Sequence, residues 1–207
     1  MTDKWRRELH KPNLHFYRML LKAVNGIRGA FIELGVGDGE TFSEIYTNYS
    51  YNDSTPNFHC RSIIGVDTFE GMPYSDEPGD EMYPEGTLKG PSIAEFRDKY
   101  EEAFLVKGVI PDVLDNIIGT TNKYGGEILE TTPFAFCHID LDHRNSTKAA
   151  LEWVWPRMSD GGILVCHDFR WDIKVRASGA IQDWMQENDI VHIGLCDLSI
   201  WFQKGVS

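Results

Sequence analysis

The spacing of hydrophobic positions changes several times along the chain, and each change marks an element. Leu14, Tyr17, Leu20, Leu21 and Val24 recur at helical intervals behind Asn13, which predicts a helix over 13–26 with Asn13 as its cap. "GAFIELG" (29–35) is a short apolar run closed by glycine and reads as a strand. "GETFSEIYTNY" then opens a helix with Thr41 near its start. "RSIIGVDTF" (61–69) is a second strand ending in Asp67, followed by a Gly- and Pro-rich loop to about residue 91. "SIAEFRDKYEEAF" (92–104) is a helix, because Ser92 and Glu95 have the spacing of a capping box. "FLVKGV" is a third strand and "IPDVLDNII" a short helix. A fourth strand is expected over 133–142, a helix over "STKAALEWVWPRM", a fifth strand over 159–169 and a helix over 178–188. "IVHIGLCD" and "LSIWFQKG" are nearly contiguous and should pair as a hairpin.

Strands alternating with helices predict an α/β fold. The expectation is a Rossmann-like, doubly wound, mainly parallel sheet with a C-terminal antiparallel hairpin. A chain of 207 residues suits one domain over 1–207, with 1–28 as an N-terminal helical extension and 72–91 as a lid loop.

Composition narrows the function. The net charge of −12 argues against a nucleic-acid partner, which calls for a basic face. No apolar run approaches the roughly 20 residues that cross a bilayer. The N-terminus lacks a signal-like apolar core, so a cytoplasmic protein without a membrane partner is expected. Cys60, Cys137, Cys166 and Cys196 have no CxxC spacing, and three lie in strand-like runs, so buried reduced thiols are expected. Residues 75–85 hold Asp76, Glu77, Asp80, Glu81 and Glu85 without a basic residue, which reads as a solvated loop or as a lid over a site.

The candidate chemistry collects where strands end, the place at which sheets of this type bind ligands. "GVGDGETF" (35–42) puts glycines on alternate positions after the first strand. Gly35 and Gly37 match the start of a dinucleotide fingerprint, but Glu40 occupies its last position and would repel a pyrophosphate. No GK[ST] follows, so a phosphate cradle is not expected. Asp140 and Asp142 are two apart and would share a face if the fourth strand persisted. Asp140 and Asp168 converge if the fourth and fifth strands are neighbours. Two hard oxygen donors with room for water suit Mg²⁺. His167 is a third candidate ligand, although imidazole favours softer ions. The alternative is that these acids are caps and His167 is merely packed. His143 reads as a surface residue.

Glu33, Gly35, Gly37 and Gly39 form ExGxGxG, which resembles the first motif of class I S-adenosylmethionine-dependent methyltransferases. That cofactor carries a sulfonium, an amino group and a carboxylate but no phosphate. The resemblance implies that Glu33 meets the amino group and that the backbone at Gly35 and Gly37 approaches the methionine and ribose. It also implies that Asp67 takes the ribose hydroxyls, with Thr41, Thr68 and Asp140 beside the cofactor. "FIELGVGDGETF", "GVDTFEGMP" and "HIDLDHRNSTKAALEWVWPRMSDGGILVCHDF" together resemble the macrocin O-methyltransferase family over about residues 29–170. Members methylate sugar hydroxyls with S-adenosylmethionine and Mg²⁺. The resemblance implies Asp140 and Asp168 as metal ligands and Asp142 as general base. His167 stands where the family has an aspartate, and Arg144 and Asn145 replace a Tyr-Glu pair.

The acceptor expected is a small-molecule hydroxyl. Three other readings remain open: a metal-independent methyltransferase with His167 or Asp142 as base, a cofactor-binding protein without catalysis, and an NAD-linked oxidoreductase. The N-terminal helix and six tryptophans, Trp5 among them, leave room for a homo-oligomeric interface.

Overall fold

The structure, a computed structural model, describes residues 13–51 and 61–205. Cys60, Trp5 and the first twelve residues of the expected extension lie outside the described residues. In chain order the elements are α1 (Leu14–Ala23), β1 (Ala30–Leu34), α2 (Glu40–Tyr51), β2 (Ile63–Asp67), α3 (Ile93–Lys99) and β3 (Phe104–Lys107). They continue with β4 (Phe134–Ile139), α4 (Arg144–Val154), β5 (Met158–Cys166), α5 (Arg176–Glu187), β6 (Gly194–Cys196) and β7 (Ser199–Gln203).

One seven-stranded sheet runs in the order β3-β2-β1-β4-β5-β7-β6. The first five strands are parallel, and β7 and β6 are antiparallel to their neighbours, as the doubly wound reading with a closing hairpin expects. β7 rather than β6 lies against β5, because Ile200 and Phe202 are fully buried while Leu195 on β6 is exposed.

Strand alternation sorts side chains into two layers. Ala30, Ile32 and Leu34 join the α4 and α5 side with Leu151, Val154, Ile181 and Trp184. Phe31, Phe136, Ile163 and Val165 join the α1, α2 and α3 side with Tyr17, Leu21, Phe42 and Phe96. Burying each such side chain contributes about 1.5–3 kcal/mol. The N-terminal ends of two helices follow local chemistry. Asn13 accepts the Phe16 amide at the start of α1, and Ser92 and Glu95 form the expected capping box on α3.

Several boundaries differ from expectation. The helix expected over 110–118 is only a 3₁₀ turn at Leu114–Ile117. α4 starts two residues early, at Arg144, because its first amide meets a carboxylate from a remote loop, Asp80 at 3.4 Å. β4 stops at Ile139, so the strand does not persist through Asp142, whose φ of 58° turns the chain instead.

Chain order reverses between β1 and β4: β2 and β3 continue on one side, β4 and β5 on the other. The carboxyl ends of β1 and β4 therefore open a crevice that the flanking helices leave uncovered.

Candidate active site

The crevice is a cavity of about 640 Å³ that begins at the glycine turn and ends at the carboxylates after β4 and β5. Gly35 has φ +88°, and a Cβ there would lie 1.8 Å from the Asp140 carbonyl oxygen. Glycine is therefore required where the end of β1 crosses the end of β4. The turn is also held from the side. Asp67 Oδ2 accepts the amides of Val36 (2.8 Å) and Gly37 (2.9 Å), and its Oδ1 accepts Phe69 (2.6 Å). Asp67 thus fastens the glycine turn while facing the cavity, a role the motif alone did not assign. Thr41 and Thr68 line the same space, and Thr68 donates to the Gly71 carbonyl at 2.5 Å. Asp38 and Glu40 also face in, which disfavours a pyrophosphate at the N-terminus of α2.

Glu33 lies on the cavity wall, almost wholly buried. Burial first, then Asp140, Asp67 and Asp38, holds its carboxyl well above the usual range. Its Oε1 is 2.7 Å from His138 Nδ1, and its Oε2 is buried without a hydrogen-bond partner. Such an atom is costly unless a donor arrives.

Past the ends of β4 and β5, Asp140, His167 and Asp168 each place one donor atom within 4.8 Å of the others. His167 Nδ1 is 3.4 Å from Asp140 Oδ1 and 3.2 Å from Asp168 Oδ1. Burial alone would lower the imidazole pKa, but the two carboxylates outweigh it and hold it well above the ordinary value. Asp142 joins this group through Asp168, its side-chain hydrogen-bond partner, although it leaves β4 in a left-handed turn. Burial, then the Asp168 charge, pushes the Asp142 carboxyl up. The sequence-predicted acids and His167 therefore do converge, with Asp142 arriving by a turn rather than by strand alternation.

The acidic loop is partly solvated and partly built in. Asp76, Glu81 and Glu85 are exposed, but Asp80 is buried, accepting Ser75 Oγ at 2.6 Å and lying 4.0 Å from His143 Nδ1. His143 is buried rather than on the surface, with Nε2 3.3 Å from the Tyr83 carbonyl. Asp80 caps α4 across a sequence gap of 64 residues, and a carboxylate is favourable at a helix N-terminus. Tyr83 lines the cavity with its hydroxyl pushed up to about 12 by burial and by Asp142 and Asp168, while Tyr74 points to solvent. Asp80→Ala should cost about 1–3 kcal/mol, the range for stranded buried donors, and speed proteolytic nicking between residues 72 and 91. Wild-type nicking rates in that variant would show that Asp80 does not hold the loop.

His138 and Tyr17 escaped the sequence reading. The available signal was a lone polar residue at an inward register of the apolar run "FAFCHI".

A methyltransferase-domain family model matches residues 32–169, from within β1 to just past β5. The chain belongs to this methyltransferase family. It is a class I S-adenosylmethionine-dependent methyltransferase, as the ExGxGxG turn suggested. Among solved structures this methyltransferase is similar to the O-methyltransferase NovP (TM-score 0.71, 19% identity, 92% of this chain and 78% of that one). It is similar to the calicheamicin methyltransferase CalS11 (TM-score 0.71, 20% identity, 94% and 79%). TomG, an O-methyltransferase from Streptomyces achromogenes determined with S-adenosylmethionine, shares the fold at TM-score 0.56 and 11% identity, over 96% and 86% of the chains. No curated protein sequence matches the methyltransferase. No helix among its described residues is long and apolar enough to cross a membrane.

Proposed function

We propose that the chain methylates a hydroxyl of a small molecule such as a sugar or natural-product glycoside, with a divalent metal at Asp140, His167 and Asp168. The observation that carries this reading is the single cavity joining the glycine turn to that cluster and to Asp142. Similarity to CalS11, a TDP-rhamnose 3'-O-methyltransferase, supports the acceptor class. Free, buried Cys137 and Cys166 support a reducing, cytoplasmic setting.

The residues fit both groups. The partnerless Oε2 of Glu33 suits the cofactor's ammonium, and Gly35 and Gly37 line the same cavity, with Thr41, Asp67, Thr68 and Asp140 around it. Donor separations of 3.2 and 3.4 Å match neighbouring ligands of an octahedral ion bound at about 2.0–2.6 Å. The mixed oxygen and nitrogen donors accept Mg²⁺ but favour a transition ion. When bound, such an ion supplies Lewis-acid polarisation of a hydroxyl. The protein's own contribution is to align acceptor oxygen and methyl carbon for in-line displacement. The O–CH₃ bond forms as the S–CH₃ bond breaks, the sulfonium becomes a thioether, and Asp142 takes the hydroxyl proton. The loop over 72–91 shields the reacting atoms from water.

A second reading has one observation behind it. His167 Nδ1 already bridges both carboxylates, so a metal-independent enzyme could use His167 as base.

Calorimetry with S-adenosylmethionine should show saturable binding with Mg²⁺ or Mn²⁺ and also with chelator. Turnover on polyol and glycoside acceptors should fall roughly 100-fold or more on chelation, as several kcal/mol of lost charge stabilisation implies. Undiminished turnover with chelator would favour the His167 reading. Absence of binding in every condition would overturn both.

A further inference from the structure

The acid on the cofactor wall is held by His138, which is backed in turn by elements outside the segment the family model matches. On the α1 side of the sheet, Phe31, Phe136 and Val165 are each followed one pleat later by a polar residue: Glu33, His138 and His167. Glu33 and His138 are register partners on β1 and β4. His138 Nδ1 lies 2.7 Å from Glu33 Oε1, and its Nε2 lies 2.9 Å from the Tyr17 hydroxyl on α1. The Tyr17 hydroxyl is in turn 3.3 Å from Ser199 Oγ on β7. The Tyr17 ring meets the imidazole edge-on at 5.0 Å. All four side chains are buried, at 4% exposure or less.

Hydrogen-bond logic gives this chain a direction. With the cofactor's ammonium beside it, Glu33 is ionised and only accepts, so His138 Nδ1 carries the hydrogen. Nε2 is then a bare lone pair and takes the Tyr17 hydrogen, leaving the Tyr17 oxygen to accept from Ser199. One oxygen of Glu33 is thereby clamped. The other, Oε2, is buried on the wall of the cavity with no partner.

We propose that His138 and Tyr17 are positioning residues for the cofactor: they hold Glu33 Oε1 so that Oε2 faces the ammonium group of S-adenosylmethionine. This rests on the cofactor reading of Glu33 given above. It makes α1 and β7 part of the cofactor site, although both lie outside residues 32–169. The design is economical in entropy. A glutamate has freely rotating bonds, and a carboxylate already fixed at one oxygen loses less on meeting its ligand.

The test uses the full chain and S-adenosylmethionine, with affinity measured by calorimetry and turnover measured at saturating cofactor. His138→Leu should weaken binding about 10-fold or more, the size of a lost hydrogen bond to a charged group. Its kcat at saturating cofactor and its KM for acceptor should move far less. His138→Asn, whose side-chain amide can donate where Nδ1 does, should recover most of the affinity. Tyr17→Phe removes one oxygen from the relay and should weaken binding about threefold, the lower range for a single hydrogen bond. In a Glu33→Gln background, His138→Leu should have little further effect, because the group it positions has lost its charge.

Equal losses from His138→Leu in both backgrounds would overturn the proposal, since they would mean packing alone. Wild-type affinity in both His138→Leu and Tyr17→Phe would overturn it as well. If His138→Leu fails to fold, Tyr17→Phe decides the matter by the same criterion. A wild-type protein that binds no S-adenosylmethionine would sink the cofactor reading itself. That failure is distinct from wild-type binding that the variants leave unchanged.

Discussion

Asp142→Asn is expected to lower kcat by about 10²–10⁴-fold, the usual worth of a positioned general base. Affinity for S-adenosylmethionine should stay within about threefold of wild type, because Asp142 is tied to Asp168 and the glycine turn is fastened by Asp67 instead. The substitution is mild for the fold. Asn has nearly the same volume and tolerates the left-handed backbone that Asp142 adopts at φ 58°. Its amide can still meet Asp168, the present hydrogen-bond partner. What it cannot do is accept a proton from a hydroxyl. The surroundings favour that task, since burial and Asp168 push the Asp142 carboxyl up, making it a stronger base when ionised. Single-turnover kinetics with saturating cofactor measure the step directly. A near-normal rate would remove Asp142 from the chemistry and leave His167 as the base.

Gly35→Ala is expected to be the most damaging single-methyl change in the site. The added Cβ would lie 1.8 Å from the Asp140 carbonyl oxygen and 2.7 Å from its carbonyl carbon, both backbone atoms that cannot step aside. The φ of +88° adds strain of its own. Relief requires the ends of β1 and β4 to separate, which breaks the bond from the Asp140 amide to the Leu34 carbonyl (2.9 Å) and displaces Asp140. We expect a loss of about 3 kcal/mol or more in chemical denaturation, in the range of severe packing defects, together with loss of cofactor binding. Gly37→Ala is the internal control. Its φ is also positive, at +54°, but nothing lies within 4 Å of the added carbon. It should cost only the backbone strain of about 1–2 kcal/mol and leave a folded protein. A Gly35→Ala protein as stable as Gly37→Ala would show that the crossing of β1 and β4 is looser than the structure has it.

The two predictions draw on different kinds of information. The glycine turn was legible because its signal is local: ExGxGxG follows directly on an apolar run, and the fold class follows from alternating periods. The acids after the fourth and fifth strands were legible as a set, since parallel neighbours bring their carboxyl ends together. Their arrangement was less so. Strand alternation predicted that Asp140 and Asp142 share a face, whereas β4 ends at Ile139 and Asp142 reaches Asp168 through a turn.

What the sequence determined by itself was the order of the elements, the parallel sheet with its closing hairpin, and the cofactor turn. These depend on periodicity and on contacts between near neighbours. Tertiary structure alone decided that Asp80 would cap α4, that His143 would be buried under Tyr83, that Asp67 would fasten the glycine turn, and that Tyr17 would reach His138. Those contacts join residues 30 to 121 positions apart. A polar side chain at such a distance carries no local mark of its partner. Whether it becomes a solvated charge or a buried link depends on which elements the packed core brings against it.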